Sequence, residues 1–392
     1  MDSRGPSGAG SAPRIAVVTF LEARNHGAYL QAYALQRFLA DLGFPCRLLD
    51  YSNPHMAWVY APVHRGGLFR GRLPDDLSRV RNALLDARRN AAFRAFARRN
   101  LVLSRRRYYT LADLAAADAH YDIFLAGSDQ VFSIRCSNLD TAYFLSFVSD
   151  GAKKVSYAAS FGFDEIPAPY RALYRALLAP FRRLSLREES GARIVRELLG
   201  PDAPPVDVHV DPTLLLDAGA WSPIAAQSRV RVPRRYLLVY NVYRPVRLFD
   251  EAFRIARERR LPLVYLGRDL PLRDRLRRGV RVIESAAPQD FVRLFRDASC
   301  VLTNSFHGTA FSVLFRRPFL VELENRGAYN HRVAALLDRL GLRSCALGDG
   351  PGTPAGEDAD WERAAALLAR ERARSAAYLR EALAPVPRDA PR

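Results

Sequence analysis

The chain predicts an α/β protein built as two doubly wound, Rossmann-like domains facing a cleft. Three observations predict it. Its 392 residues exceed what one hydrophobic core usually organises. Short apolar runs alternate with amphipathic helical stretches twice, once before and once after about residue 216. The turns that end several strands carry polar residues and glycines, on the side where such sheets bind ligands.

Arg14-Ile-Ala-Val-Val-Thr-Phe20 has the unbroken apolar character of a buried parallel strand. A polar turn with Asn25 and Gly27 follows. A helix over 28–42 then carries Leu30, Ala34, Leu35, Phe38 and Leu42 at helical spacing, and Gly43 ends it. Cys46–Tyr51 makes a second strand, 52–75 an irregular connection, and 76–100 an arginine-rich helix. Strands follow at 121–126, 153–157, 184–187 and 206–210, with a helix over 188–199. This first domain spans 14–215, behind a Gly/Ser/Pro-rich segment over 1–13 that reads as a disordered tail. The second, over 216–356, has strands at 236–241, 263–266, 280–283, 300–303 and 319–321. Its helices cover 247–260, 288–298, a stretch from about 304 to 315, and 330–340. The remainder, 357–392, holds a long Ala/Arg/Leu helix over 360–383.

The net charge of +18 comes almost wholly from arginine, because Lys153 and Lys154 are the only lysines. Thirteen arginines between Arg65 and Arg107 face only Asp75, Asp76 and Asp86. That segment reads either as a solvated helix face or as a surface for peripheral contact with an anionic membrane or a phosphorylated acceptor. No helix-turn-helix, zinc finger or basic stripe interleaved with aromatics is present, so nucleic acid is not an expected partner. Cys46, Cys136, Cys300 and Cys345 form no CxxC pair, which argues against a structural zinc and a disulfide framework and suits a reducing cytoplasm. No run has the length and apolarity of a membrane span, and 1–13 lacks the apolar core of a signal peptide. The expected localisation is cytoplasmic, free or peripheral at the inner face of the membrane.

Six segments resemble the polysaccharide pyruvyl transferase family, in its order and along most of the chain. They are 25–36 (Asn-His-Gly-Ala-Tyr-Leu-Gln-Ala-Tyr-Ala-Leu-Gln), Gly127-Ser-Asp-Gln-Val131, 155–162 (Val-Ser-Tyr-Ala-Ala-Ser-Phe-Gly), Leu184-Ser-Leu-Arg-Glu188, Asp211-Pro-Thr-Leu-Leu215 and 303–310 (Thr-Asn-Ser-Phe-His-Gly-Thr-Ala). His26 stands where the family often has Tyr, and Phe132-Ser133 replaces a common Trp-Asn pair; these departures bear on the acceptor rather than the fold. The resemblance implies a two-domain fold similar to B-type glycosyltransferases, with the last helix returning to the first domain. It also implies transfer of a pyruvyl group from phosphoenolpyruvate to two hydroxyls of a saccharide or lipid-linked glycan, giving a cyclic ketal and phosphate. Phosphoenolpyruvate is then a co-substrate; no cofactor and no catalytic metal are expected.

That chemistry needs a proton shuttle near neutral pH and a clamp for carboxylate and phosphate, roles suited to histidine and arginine. His307 is the expected shuttle, between a buried strand and a helix start. There Gly308 would allow an anion to approach and Ser305 would add a hydrogen bond; the alternative is that Ser305 caps the helix and His307 is packed polar surface. Arg187 resembles a donor-binding arginine, with a salt bridge to Glu188 or Glu189 as the alternative. Arg268, like Arg244, follows a strand of the second domain and is a candidate for the donor phosphate, with surface placement as the alternative. Asp129 is expected as a base or a ligand of acceptor hydroxyls, with Ser128 beside it; either instead caps a turn. Asn25 and Gly27 are expected near the acceptor, the alternatives being a helix cap and a turn glycine. Asp358-Ala-Asp360 superficially matches a metal motif, but Asp360 reads better as a helix N-cap. His209 is read as structural and His331 as surface; His55, His64 and His120 have no identifiable partners. Two other functions remain open: a nucleotide-sugar-dependent glycosyltransferase, and a non-catalytic basic anion-binding scaffold.

Overall fold

A computed structural model of the chain describes residues 12–61, 73–323, 331–348 and 359–385. Most of the expected tail, His64, the arginines Arg65, Arg70 and Arg72, and Asp358 lie outside these residues. Seven strands belong to the first half: β1 (Ile15–Val18), β2 (Cys46–Tyr51), β3 (Leu103–Tyr108), β4 (Ile123–Ala126), β5 (Lys154–Ser156), β6 (Leu184–Leu186) and β7 (Val206–Val208). Five belong to the second: β8 (Leu237–Tyr240), β9 (Leu263–Leu266), β10 (Val280–Ile283), β11 (Cys300–Thr303) and β12 (Phe319–Val321). The sheets run β3-β2-β1-β4-β5 and β10-β9-β8-β11-β12, parallel throughout, with β6 and β7 as a parallel pair. The two orders are the same topology repeated. The expected pair of Rossmann-like domains is what the chain forms.

Apolar runs explain the central strands. Every residue of β1, β4, β8, β9 and β11 is buried, as parallel strands covered on both faces require. Sequence reading missed β3, because Leu103-Ser-Arg-Arg-Arg-Tyr108 shows no apolar alternation. It is an edge strand whose three arginines face water, where charge also deters pairing with another chain.

Among the fourteen α-helices of the described residues are α1 (His26–Asp41), α2 (Leu73–Asn100), α3 (Leu248–Glu258), α4 (Leu272–Arg275), α5 (Pro288–Asp297), α6 (Phe306–Leu314), α7 (His331–Leu340) and α8 (Trp361–Ala382). Asp360 caps α8 by accepting from the Arg363 amide at 2.9 Å. That helix lies back on the first domain. Tyr378 Oη donates to the Ser156 carbonyl at 2.8 Å, and Arg372 donates to the carbonyls of Leu214 and Leu216.

The halves share one apolar core, which runs from Ile15, Val17 and Leu125 to Leu238, Tyr240 and Val301. Its seam is aromatic: His26 lies 5.1 Å from Phe291 and 5.3 Å from Phe93, and Tyr240 meets Phe291 at 5.1 Å. His26 Nε2 donates to the Ala286 carbonyl at 3.1 Å. Burial pushes its pKa down to about 3, and the Arg89 cation adds to that, so the ring is neutral.

Candidate active site

In each sheet the order reverses at the first strand, so the crevices lie between β1 and β4 and between β8 and β11. The loops leaving the carboxyl ends of these four strands line one cavity, with Asn25, Asp129, Gln130, Val242, Tyr243, Asn304, Ser305, Phe306 and His307 on its walls. Arg332 and Val333 of α7 close it from the second domain.

His307 crosses between the domains. An added Cβ on Gly27 would fall 2.0 Å from His307 Nδ1, so the imidazole edge rests on bare backbone in the first turn of α1. This corrects the reading of Gly27 as a turn glycine. It is helical, and its missing side chain is the space that His307 occupies. Asn25 caps α1, its Oδ1 accepting from the Gly27 amide at 2.9 Å. On its other edge His307 Nε2 stands 3.7 Å from Asp211 Oδ2. That is a charge contact too long for a hydrogen bond, and Nε2 has no hydrogen-bond partner among the described residues.

Asp211 is the hub. It is fully buried just beyond β7, and β7 pairs with β6 so that Leu186 is opposite Val208; the residues beyond both strand ends therefore converge. Its carboxylate accepts from Arg187 Nη1 (2.8 Å), the Thr213 amide (2.9 Å) and Thr213 Oγ1 (2.7 Å). Burial alone would raise its pKa. His307, Arg187 and the Thr213 amide outweigh burial and hold it well below the usual carboxylate range.

Arg187 is buried, with Asp129 and Glu188 carboxylates each at 3.8 Å and its guanidinium 4.6 Å over the Phe306 ring. Burial opposes the charge, but Asp211, Asp129 and Glu188 more than offset it and the pKa is raised. Its main bond goes to Asp211, not to Glu188 or Glu189, and its Nε and Nη2 are buried without hydrogen-bond partners among the described residues. Asp129 sits at φ 74°, a left-handed conformation that aspartate tolerates better than most residues, and its Oδ1 accepts from the Gln130 amide.

Four other expected site residues are placed differently. Ser128 is fully buried, its Oγ 2.8 Å from the Ala158 carbonyl and 3.3 Å from Asp211 Oδ2; it supports Asp211 and has no exposed hydroxyl for an acceptor. Ser305 lines the cavity but is the N-cap of α6, accepting from the Gly308 amide at 3.3 Å. Gly308 offers no anion a close approach, because the Thr303 side chain fills the space a Cβ would need. Arg268 is outside the cavity lining, bound to Asp86 at 2.7 Å and to the Glu284 carbonyl at 3.1 Å. Its charge was legible, but the partners that occupy it were not.

Sequence reading missed two contributors. Asp211 appeared only as part of a motif, although a carboxylate at a strand end before proline was a usable signal. Arg332 is buried, with Nε unpartnered among the described residues, and with the Gln130 amide suitably oriented both terminal nitrogens donate to its oxygen at 3.2 Å. Of the remaining histidines, His209 is packed between Tyr157 and Tyr378 with Nδ1 2.9 Å from Ser185 Oγ, and burial, then Arg374, depresses its pKa to about 3. His331 is largely exposed, yet its Nε2 meets Asp164 of the first domain at 3.0 Å.

The fold is similar to that of UDP-GlcNAc 2-epimerase from Methanocaldococcus jannaschii (11% identity, 91% of each chain, TM-score 0.48). It is also similar to the Neisseria meningitidis enzyme of that name bound to UDP-GlcNAc (11% identity, 95% of this chain and 94% of that one, TM-score 0.46). Phytolacca americana UGT2, complexed with UDP-2fluoro-glucose and pterostilbene, is a third (13% identity, 95% and 94%, TM-score 0.39). No individual curated protein matches the chain significantly. The family model described as polysaccharide pyruvyl transferase matches residues 25–322, which contain Asn25, Gly27, Asp129, Arg187, Asp211 and His307. With most of its length matched, the chain belongs to the polysaccharide pyruvyl transferase family and is a transferase.

Proposed function

We propose that the protein transfers a pyruvyl group from phosphoenolpyruvate to two hydroxyls of a saccharide, free or lipid-linked, closing a cyclic ketal and releasing phosphate. One observation carries this reading. Arg187 Nε and Nη2 and His307 Nε2 are buried polar atoms without hydrogen-bond partners among the described residues; His307 lines the cavity, and Arg187 lies behind it against the cavity residues Asp129 and Phe306. Leaving such atoms unpaired is costly, and an anionic, protonatable ligand would satisfy them together. Arg332 adds a second guanidinium with an open nitrogen from the opposite wall. Two forks suit a donor bearing both carboxylate and phosphate.

In this mechanism protonated His307 delivers its proton to the methylene carbon of the donor, and the adjacent carbon gains cationic character. The first sugar hydroxyl attacks that carbon and gives its proton to Asp129. The carbon–oxygen bond to phosphate then breaks, and the second hydroxyl attacks the same carbon. Of the two hydroxyl protons, one replaces that used to form the methyl group and the other leaves on phosphate. Asp211 touches neither substrate; it orients Arg187 and stands 3.7 Å from His307 Nε2.

The test is a glycan panel incubated with phosphoenolpyruvate, reading phosphate release together with the mass gain of a ketal. Formation of such a product, lost in His307→Ala and in Arg187→Ala, is expected. No donor-dependent product across a broad panel, or consumption of a sugar nucleotide in its place, would overturn the reading. Product formation that survives His307→Ala would overturn the proton-shuttle role alone.

A further inference from the structure

The basic charge of this protein is not confined to the arginine-rich helix. Several arginines of that region are engaged: Arg81 with Glu284, Arg106 with Asp113, Arg107 with Glu22, and Arg89 with the Arg24 carbonyl. Arg88, Arg94, Arg98, Arg99 and Arg105 there stay exposed without an ion pair among the described residues, and a second basic group lies at the outer edge of the second domain. Between 257 and 281 nine arginines face three carboxylates, Glu258, Asp269 and Asp274. Asp274 is buried and already bound by Arg273 and Arg277, and Asp269 is bonded to Asn241 and Tyr265. The end of α3 and the loop between α4 and β10 bring Arg257, Arg260, Arg277 and Arg278 around one open hollow. Arg257, Arg260 and Arg278 are exposed and make no ion pair among the described residues.

The same loop carries two leucines in water. Leu272 is 70% exposed and Leu276 77%, four residues apart around exposed Arg273. Glu284 binds Arg275 of α4 and Arg81 of α2, which sets α2 alongside, and α2 contributes Leu84, 59% exposed. A lone exposed leucine signifies little. Exposed leucines beside exposed guanidinium groups, those of Arg257, Arg260 and Arg278 outside any ion pair among the described residues, are the composition of an element that lies in a membrane interface: apolar side chains enter the acyl boundary while arginines meet anionic headgroups. A nucleic acid would use the arginines but would give the leucines nowhere to go.

The segment leading into α4 leaves the carboxyl end of β9, the same end of the sheet from which β8 and β11 feed the cavity. The hollow itself lies at the amino ends of β9 and β10, so the α4 loop runs from the cavity end of the sheet to the opposite end.

We propose that the α4 loop, with Leu272 and Leu276 among Arg257, Arg260, Arg273 and Arg278, is a membrane-docking surface for bilayers rich in anionic lipid. It stands independently of the transfer chemistry above.

The test is co-sedimentation of the full chain with phosphatidylcholine vesicles, with and without roughly 30% phosphatidylglycerol, across a salt series. Binding to the anionic vesicles alone, weakening as salt rises, is expected. Arg257→Gln/Arg260→Gln/Arg278→Gln should weaken it ~100-fold, at ~5-fold per arginine near the surface. Leu272→Ser/Leu276→Ser keeps every charge and sits on the surface, so it should fold normally; it should still weaken binding ~10-fold. No binding to anionic vesicles overturns the proposal, as does binding that both variants leave intact. Binding that responds to the arginines but not the leucines also overturns it, because that marks a general polyanion surface such as nucleic acid would use.

Discussion

Replacing Gly27 with alanine tests how His307 is held. The added methyl would sit 2.0 Å from Nδ1 and 2.4 Å from Cγ of the ring, against the 3.4 Å of an ordinary contact, so ring or helix must yield by more than an ångström. Alanine also favours the first turn of α1 by about 1 kcal/mol over glycine. Overpacking of this severity costs about 1–3 kcal/mol, so a net destabilisation of about 0–2 kcal/mol is expected. The larger effect falls on rate: an ångström of misplacement in a catalytic group costs about 100-fold. A denaturation cycle with Gly27→Ala, His307→Ala and the double variant isolates the clash without requiring a known acceptor. The methyl should cost stability when the ring is present and add it, by helix propensity, when the ring is gone. Equal effects of Gly27→Ala in both backgrounds, with catalysis unimpaired, would refute the packing argument.

Two further predictions rest on buried charge. Asp211→Asn leaves Arg187 buried without its main counter-ion and should cost about 3 kcal/mol or more in urea unfolding, whereas a loss below about 1 kcal/mol would show that Arg187 has other support. The folded pKa of His26 and of His209 lies near 3, below the unfolded value of about 6.5, so each ring is neutral in the fold and takes a proton on unfolding as pH falls. Their contribution is therefore complete above about pH 6.5 and drains away towards pH 3, at about 1.4 kcal/mol per pH unit for each ring. His209→Gln should flatten the acid limb of a stability–pH curve by one ring's share, and an unchanged slope would contradict the assignment.

Much of the fold was legible because apolar runs and helical spacing are local signals. β2, β9, β10, β11 and β12 coincide with their expected ranges, and most of the helix ends differ by a residue or two, where capping decides. The site was legible only where it followed a strand end, as at Asn25, Asp129, Arg187 and His307. Its wiring was not, since it depends on partners distant in sequence. Gly27 was visible as a glycine, but the reason for it is a ring 280 positions away. Arg268 and Arg332 look alike in sequence and each keeps one buried nitrogen without a hydrogen-bond partner among the described residues; Arg268 is bound to Asp86 away from the cavity, while Arg332 lines it. Ser128 and Gly308 were chosen for proximity to the chemistry, and close packing around Asp211 and Thr303 has claimed both.

The aromatic seam at His26, Phe93, Tyr240 and Phe291 also bears on what the two halves are to each other. Repeated topology invites the idea of two modules that could be separated and exchanged between relatives. Severing them would expose that seam together with the slot that receives His307, and each fragment would carry the sticky face of an obligate subunit. The halves are better regarded as a fused heterodimer, so a chimera that swaps one half must carry over the partner's side of the seam.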